Sequence, residues 1–507
     1  MYLTQPLHRN RQQKPNDIAT ICGERTFTHA EFYDRVARLA GGLRASGAEP
    51  GDRIAILALN SDRYFEFIHA IAWADAVMVP VNIRWSAKEI AYSLVEAGVR
   101  ILAVDDAFLS LLGAVRELTP GLETILHCGD APTPDGMLSY EALVAESDPL
   151  PDAHRRGDAL AGIFYTGGTT GFPKGVMLSH RNLFASAMGC AAAGTVTANG
   201  RVLHAAPMFH LADLGLAVIH SALGGSHVFI PSFEPVATMA AIGQHGITDV
   251  LLVPTMIQMI ADHPRRAEFD LSSLRQLTYG ASPISEALID RARKAFPAAE
   301  FAQAYGMTEL APAATILRDE HHADPALRRS AGKPAPHVLV KITDEAGDEV
   351  PRGTVGEIVV SGENVMLGYW NKPEETAAAV RDGWMHTGDG GYMDENGFVF
   401  IADRIKDMII SGGENVYSVE VENAIAKHPA VTQCAVIGVP DPQWGERVHA
   451  VVSISDESTL ELEELREHCK KEIAGYKVPR SMEIVDEFPL SAAGKILKAE
   501  LRKRNTG

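Results

Sequence analysis

Tyr165-Thr-Gly-Gly-Thr-Thr-Gly-Phe-Pro-Lys-Gly175 is the most informative stretch of this 507-residue chain, and it follows Ala161-Gly-Ile-Phe164, an apolar run that reads as a strand end. Gly167, Gly168 and Gly171 let the backbone turn so that N–H groups converge on an anion. Thr166, Thr169 and Thr170 add hydroxyl groups, and Lys174 adds a positive charge. The combination reads as a phosphate cradle. It is not a Walker A loop, because Lys174 precedes its glycine and Gly494-Lys495 is followed by Ile496. A plain surface turn is the competing reading, and this density of glycine, hydroxyl and lysine disfavours it.

Outward from the loop, helical and strand patterns alternate. Thr28-His-Ala-Glu31 and Ser86-Ala-Lys-Glu89 are capping boxes. Phe32, Val36, Leu39 and Leu43 then recur at helical spacing, with Gly47 as a stop; Gly98 closes the second helix. Strands are expected at 53–59, 100–105, 249–253 and 300–304, and helices near 235–245 and 284–296. Such alternation predicts an α/β fold, with mostly parallel sheets covered by helices. Residues 338–400 read as short strands with Gly and Asp turns, a small antiparallel β subdomain. After Asp403 the pattern resets, with a glycine hairpin at 411–413, helices near 418–427 and 460–474, and strands at 431–439 and 448–454. The expected division is a large N-terminal domain, 1–403, and a small α+β C-terminal domain, 404–507.

Composition narrows the class. The chain is 46% hydrophobic and 22% charged, which is ordinary for a globular protein. Lys plus Arg is 46 against 65 Asp plus Glu, a net charge of −19 that argues against a nucleic-acid or anionic-membrane surface. Cys22, Cys128, Cys190, Cys434 and Cys469 are odd in number and form no C-x-x-C pair. That predicts reduced thiols in a cytoplasmic protein and no zinc site of the cysteine type. The polar start and the lack of a long apolar run predict no signal peptide and no transmembrane segment.

Further segments extend the pattern of the glycine loop. They are Tyr279-Gly-Ala-Ser-Pro283, Gln303-Ala-Tyr-Gly-Met-Thr-Glu309, Thr387-Gly-Asp389, Asp403-Arg-Ile-Lys-Asp-Met-Ile-Ile-Ser-Gly-Gly-Glu-Asn415 and Leu490-Ser-Ala-Ala-Gly-Lys495. Together the six segments, in this order, resemble the adenylate-forming superfamily of acyl-CoA and aryl-CoA synthetases, luciferases and peptide-synthetase adenylation domains. The resemblance runs from 165 to 495 and implies a two-step reaction with ATP, Mg2+ and coenzyme A. A carboxylate attacks the α-phosphate of ATP, and a thiol then displaces AMP. Catalysis is positioning plus charge stabilisation at phosphorus, with no enzyme nucleophile.

The resemblance assigns roles residue by residue. Thr166, Gly167, Gly168, Thr169, Thr170 and Lys174 hold phosphates; Gly280, Ala281 and Ser282 form the adenine-side loop; Gln303, Ala304, Tyr305, Gly306 and Met307 belong to the central motif. Tyr305, between a small residue and Gly306, suits stacking on adenine, with a core tyrosine as the other reading. Thr308 holds the α-phosphate, and Glu309 and Thr166 hold the metal. Asp389 accepts from the ribose hydroxyls, Arg404 assists, and Lys406 is the interdomain hinge of a mobile C-terminal domain. Lys495 carries adenylation by bridging carboxylate and α-phosphate oxygens. The chain departs from the family at Gly167, where Ser or Thr is usual; a weaker ATP KM is expected.

Ala206-Pro-Met-Phe-His210 resembles the segment lining the acyl pocket. His210, Leu211, Leu214 and Leu216 are pocket candidates, a buried structural histidine being the other reading of His210. Thr255, Met256, Ala281, Ser282 and Gly306 are expected nearby by resemblance. None of these is Arg or Lys, so a dicarboxylic acid is disfavoured and a medium- or long-chain fatty acid or an aryl acid is favoured. Asp213 is the one charge in the stretch and is expected to face outward. For coenzyme A the candidates are Ser411, Gly412 and Gly413, with Trp444, Tyr476 and Arg84 as secondary ones. The resemblance leaves open a homodimer, an enzyme that loads a carrier protein in trans, and a catalytically silent ligand binder.

Overall fold

The computed structural model describes residues 2–166, 173–281, 284–404, 408–411, 414–455, 459–490 and 496–505. Among these residues the strands form four sheets.

Six neighbouring strands of the nine-stranded sheet run parallel: Glu300–Gly306, Gln276–Gly280, Asp249–Leu252, Arg201–His204, Ser226–Phe229 and Ile18–Cys22, in that spatial order. Antiparallel strands finish both edges. The eight-stranded sheet carries the parallel strands Val77–Pro80, Arg53–Leu57, Ile101–Val104 and Thr124–His127. Beside Val77–Pro80 lies the antiparallel pair Leu160–Thr166 and Lys174–Ser179, the two strands that flank the glycine loop.

Helix Asp62–Trp73 packs against Val77–Pro80 of one large sheet and Ile18–Cys22 of the other. Every one of its residues is buried, including Asp62, Arg63, Glu66 and His69. A helix buried all round must pair its charges. Arg25 meets Asp62 at 2.8 Å, Arg35 meets Glu66 at 2.6 Å and Arg63 meets Glu141 at 2.7 Å.

The capping boxes form as read: Thr28 and Ser86 each accept from the backbone of the glutamate three residues on and receive its side chain in return. Gly98 ends its helix in the left-handed region, at φ 66°. The antiparallel sheet contains Val338–Thr343, Gly356–Gly362, Trp384–Met393 and Val399–Arg404. The C-terminal domain has its own sheet, built on Val431–Asp441 and Gly445–Ile454, and its own core around Val421, Ile425, Val436 and Leu465. Among the described residues no helix is long and apolar enough to cross a membrane. All five cysteines are unbridged.

Candidate active site

Parallel strands deliver their C-terminal ends to one edge of a sheet, where side chains from different loops can meet. Here four adjacent strands do so. Arg201–His204 leads into Ala205–His210, and Asp249–Leu252 into Thr255 and Met256. Gln276–Gly280 leads into Ala281, and Glu300–Gly306 into Met307, Thr308 and Glu309. Two close approaches require glycine. A Cβ on Gly280 would sit 2.2 Å from the Ala304 carbonyl oxygen, and one on Gly306 would sit 2.1 Å from that of Pro312. Ala281 then leaves the sheet at φ 67°, a left-handed turn uncommon for a residue with a side chain.

Tyr305 is half-buried, with its ring packed against the hydrophobic core. Its hydroxyl donates to Asp389 Oδ2 at 2.8 Å, which joins the central motif to Thr387-Gly-Asp389 on strand Trp384–Met393. That strand segment is held in shape from behind. Thr387 Oγ1 donates to the Ile358 carbonyl at 2.7 Å and accepts from the Asp389 N–H at 3.1 Å. Gly388, at φ 71°, donates its N–H to Glu357 at 3.0 Å. Asp389 also lies opposite Arg404 in strand register. Gln303 accepts from the Tyr279 hydroxyl at 3.2 Å.

A second chain of contacts runs from the glycine loop to Glu309. Thr166 and Lys174 face each other across the hairpin. Lys174 Nζ is 2.6 Å from Glu375 and 5.1 Å from the centre of the Tyr369 ring. The Tyr369 hydroxyl in turn donates to Glu309 Oε1 at 2.8 Å. Burial, reinforced by the Glu309 charge, raises the Tyr369 pKa and keeps the phenol a donor. The sequence reading missed Tyr369, whose only local signal is a glycine before an aromatic pair, Gly368-Tyr-Trp370. A phosphate reaching Lys174 must compete with Glu375.

The acid side is built differently. His210 stands at the N-terminal boundary of helix Leu211–Leu223, with no side-chain capping bond, and is tilted against Phe209, with ring centres 4.1 Å apart. The segment before it is fastened by Asn60. Asn60 Nδ2 donates to the carbonyls of His204 (3.2 Å) and Ala206 (2.9 Å), and Oδ1 accepts from the Met208 N–H at 2.8 Å. Leu211, Leu214 and Leu216 are buried. Leu214 points into the helix layer, where it shares a small void with Ile68, His69, Met78 and Val218. Met256 is buried and Thr255 half-buried at the start of helix Pro254–Ala261.

Asp213 corrects the expectation of an outward-facing charge. It is fully buried, with Oδ2 2.7 Å from His204 Nδ1. His204 Nε2 lies 3.0 Å from His227 Nδ1, and His227 Nε2 lies 3.2 Å from Ser221 Oγ. The helix carrying Asp213 is buried along most of its length, so its first turn meets the preceding strand end, where a histidine pairs with the carboxylate.

In the C-terminal domain Ser411 is buried and pairs in register with Gly445, which brings it beside Trp444. The Arg480 guanidinium covers the Trp444 ring at 3.9 Å. Tyr476 is exposed on a separate turn beneath the Lys477 ammonium, and Arg84 is exposed on a loop of the N-terminal domain. Gly167, Gly168, Thr169, Thr170, Ser282, Lys406, Gly412, Gly413 and Lys495 lie outside the described residues, as does the side chain of Arg404. Leu490 and Ile496, on either side of the Lys495 segment, pair antiparallel.

Residues 7–370 match the model of the AMP-binding enzyme family, and 420–495 match that of the AMP-binding enzyme C-terminal domain. The chain belongs to the AMP-binding enzyme family. Within that family it is 42% identical to a feruloyl-CoA synthase of Amycolatopsis sp, over 98% of this chain and 97% of the relative. It is 37% identical to the fatty acid–[acyl-carrier-protein] ligase ScoC of Streptomyces coeruleorubidus, over 100% of this chain and 96% of the relative. The amide bond synthetase McbA of Marinactinospora thermotolerans has a similar structure, with a TM-score of 0.91, 31% identity and full coverage of both chains.

Proposed function

We propose that the chain is an ATP-dependent carboxylic acid–CoA ligase whose acid is apolar, an aryl acid foremost and a medium- or long-chain fatty acid second. The observation that carries this reading is the convergence of four parallel strand ends, with Tyr305 bonded to Asp389 across it. The aryl preference rests on the feruloyl-CoA synthase relative and on the aromatic Phe209–His210 pair at the acid side.

In the first step a carboxylate oxygen bonds to the α-phosphorus of ATP and the bond to the β-phosphate oxygen breaks, releasing pyrophosphate. In the second the CoA sulfur bonds to the acyl carbon, AMP leaves, and the thiol proton goes to solvent. Tyr305 stacks on adenine while Asp389 accepts from the ribose hydroxyls. Thr308, the glycine loop and Lys174 hold the phosphates. Lys495 offsets the charge that builds between carboxylate and α-phosphate.

Thr166, Thr308 and Glu309 offer oxygen donors only, and Glu309 is 6% exposed, a set that fits Mg2+. Thr166 and Glu309 would hold the ion, which when bound neutralises phosphate charge. We place the domain boundary at 403/404, with Lys406 as hinge, and the pantetheine arm of CoA along Ser411–Gly413 beside Trp444.

The test is pyrophosphate release with ATP and Mg2+ against aryl, fatty and short acids, each with and without CoA. Sustained CoA-dependent release with aryl acids is expected. Release that ignores CoA and responds to an acyl-carrier protein would favour the second reading, carrier loading, which the ScoC relative supports. Silence with every acid, despite ATP binding, would leave a ligand binder.

A further inference from the structure

Away from the nucleotide and acid segments, His8, Asp152 and His154 bring three metal-ligating atoms within 4.8 Å of one another. His8 Nε2 is 2.7 Å from Asp152 Oδ2, and His154 Nδ1 is 3.3 Å from the same oxygen. The Tyr2 hydroxyl lies 3.0 Å from His154 Nδ1, so a second oxygen borders the cluster.

The groups behind these atoms restrict how they can turn. The Asp152 side chain is 1% exposed. Its Oδ1 accepts from the His154 N–H at 2.9 Å, and its Oδ2, which also accepts from the Thr4 hydroxyl at 2.6 Å, faces the two imidazoles. The His8 ring is stacked on Trp73, with centres 5.0 Å apart and planes 16° apart, and its Nδ1 lies 3.3 Å from the Tyr33 hydroxyl. A histidine that ligates through one nitrogen is oriented in this way when the other nitrogen bonds a neighbour. His154 is 56% exposed and leaves a path from solvent. A single imidazole would suffice to pair Asp152; here two imidazoles and the Thr4 hydroxyl meet one carboxylate oxygen, and the Tyr2 phenol lies against His154 Nδ1.

We propose that His8 Nε2, Asp152 Oδ2 and His154 Nδ1 bind a divalent transition metal of the zinc class. Two imidazole nitrogens and one carboxylate oxygen suit Zn2+ rather than Mg2+ or Ca2+. Bonds of about 2.0–2.1 Å at tetrahedral angles separate ligand atoms by about 3.3 Å; His154 Nδ1 and Asp152 Oδ2 already stand at 3.3 Å, and His8 Nε2 has to move out from 2.7 Å. Tyr2 or a water completes the four positions. The ion ties helix Gln5–Gln13 to the segment leading into strand Leu160–Thr166, and so acts as a structural clamp.

The test is calorimetric titration of the untagged, metal-free full chain with ZnCl2, with the visible absorption of added Co2+ as a second readout. One equivalent is expected to bind, with a tetrahedral Co2+ spectrum. His154→Ala, at an exposed position, is expected to weaken that equivalent by about 100-fold or more and Tyr33→Phe by about 10-fold, while the metal-free circular dichroism stays unchanged. The chain has 19 histidines, so the variant comparison decides between sites. Binding equally tight in wild type, His8→Ala and His154→Ala would overturn the proposal. So would wild type that takes up Zn2+ no better than His154→Ala.

Discussion

The proposed nucleotide corner and the proposed acid wall hold their residues by different means. At the nucleotide corner the groups sit in short motifs with glycine beside them, and they bond one another directly, Tyr305 to Asp389 and Tyr369 to Glu309. At the acid wall the segment 205–210 is held from behind by groups that face the interior: Asn60, and the buried run of Asp213, His204 and His227. In the proposed function the first region is set by residues that touch the ligand, the second by residues that do not. Substitutions behind the wall should therefore alter the acid and spare ATP.

Lys495→Ala should give the largest effect, a loss of adenylation of about 100- to 1000-fold, the scale for removing one charge-stabilising donor. Thioesterification of supplied acyl-adenylate should survive; if both half-reactions persist, the assignment of Lys495 fails. Asn60→Ala is next. It removes three buried hydrogen bonds, should cost about 2–3 kcal/mol of stability, and should raise the KM of the acid about 10-fold while the ATP KM moves little. Equal rises in both constants would erase the distinction between the regions.

Tyr305→Phe keeps the ring and deletes the bond to Asp389. At about 1 kcal/mol it should raise the ATP KM about fivefold and leave the KM of the acid alone. A variant with unchanged ATP kinetics would show that Asp389 is positioned without Tyr305.

The smallest effect is in pH. Burial lowers the pKa of His69 to about 4 and of His220 to about 3, and lowers that of His227 well below its ordinary value. Below about pH 6.5 the unfolded chain takes up protons that these folded histidines refuse. Their contribution is thus complete above that pH and is lost as pH falls toward 4. Glu66 and Asp249, raised by burial to about 7 and about 6, run the other way and lose their contribution as pH rises through those values. The histidines outnumber them, so the urea midpoint should fall between pH 6.5 and 4.5. His220→Gln should flatten that slope and Tyr305→Phe should not. Equal slopes in the two variants would place the pH sensitivity elsewhere.

What was legible in the sequence follows from the range of the forces involved. A capping box closes over three residues, so Thr28-Glu31 and Ser86-Glu89 could be read directly. A phosphate cradle needs glycines, hydroxyls and a lysine within about ten residues, so the stretch from Tyr165 to Gly175 could be read as a candidate, and residues 167–172 lie outside the described residues. The parallel α/β architecture followed from the alternation of helical and strand periods. A buried charge, by contrast, is placed by partners that the fold brings to it. Asp213 read as an outward charge because its partner His204, on the preceding strand, and His227 behind that, on the next strand, have no local signature. Asn60 lies 148 residues from Met208, and Tyr369 lies 60 from Glu309. His8 and Asp152 are 144 apart. Helix caps and the alternation of helices and strands were determined by the sequence alone; the backing of segment 205–210, the support of Glu309 and the His8–Asp152–His154 cluster were decided only by tertiary packing, because each depends on a contact that no local pattern encodes.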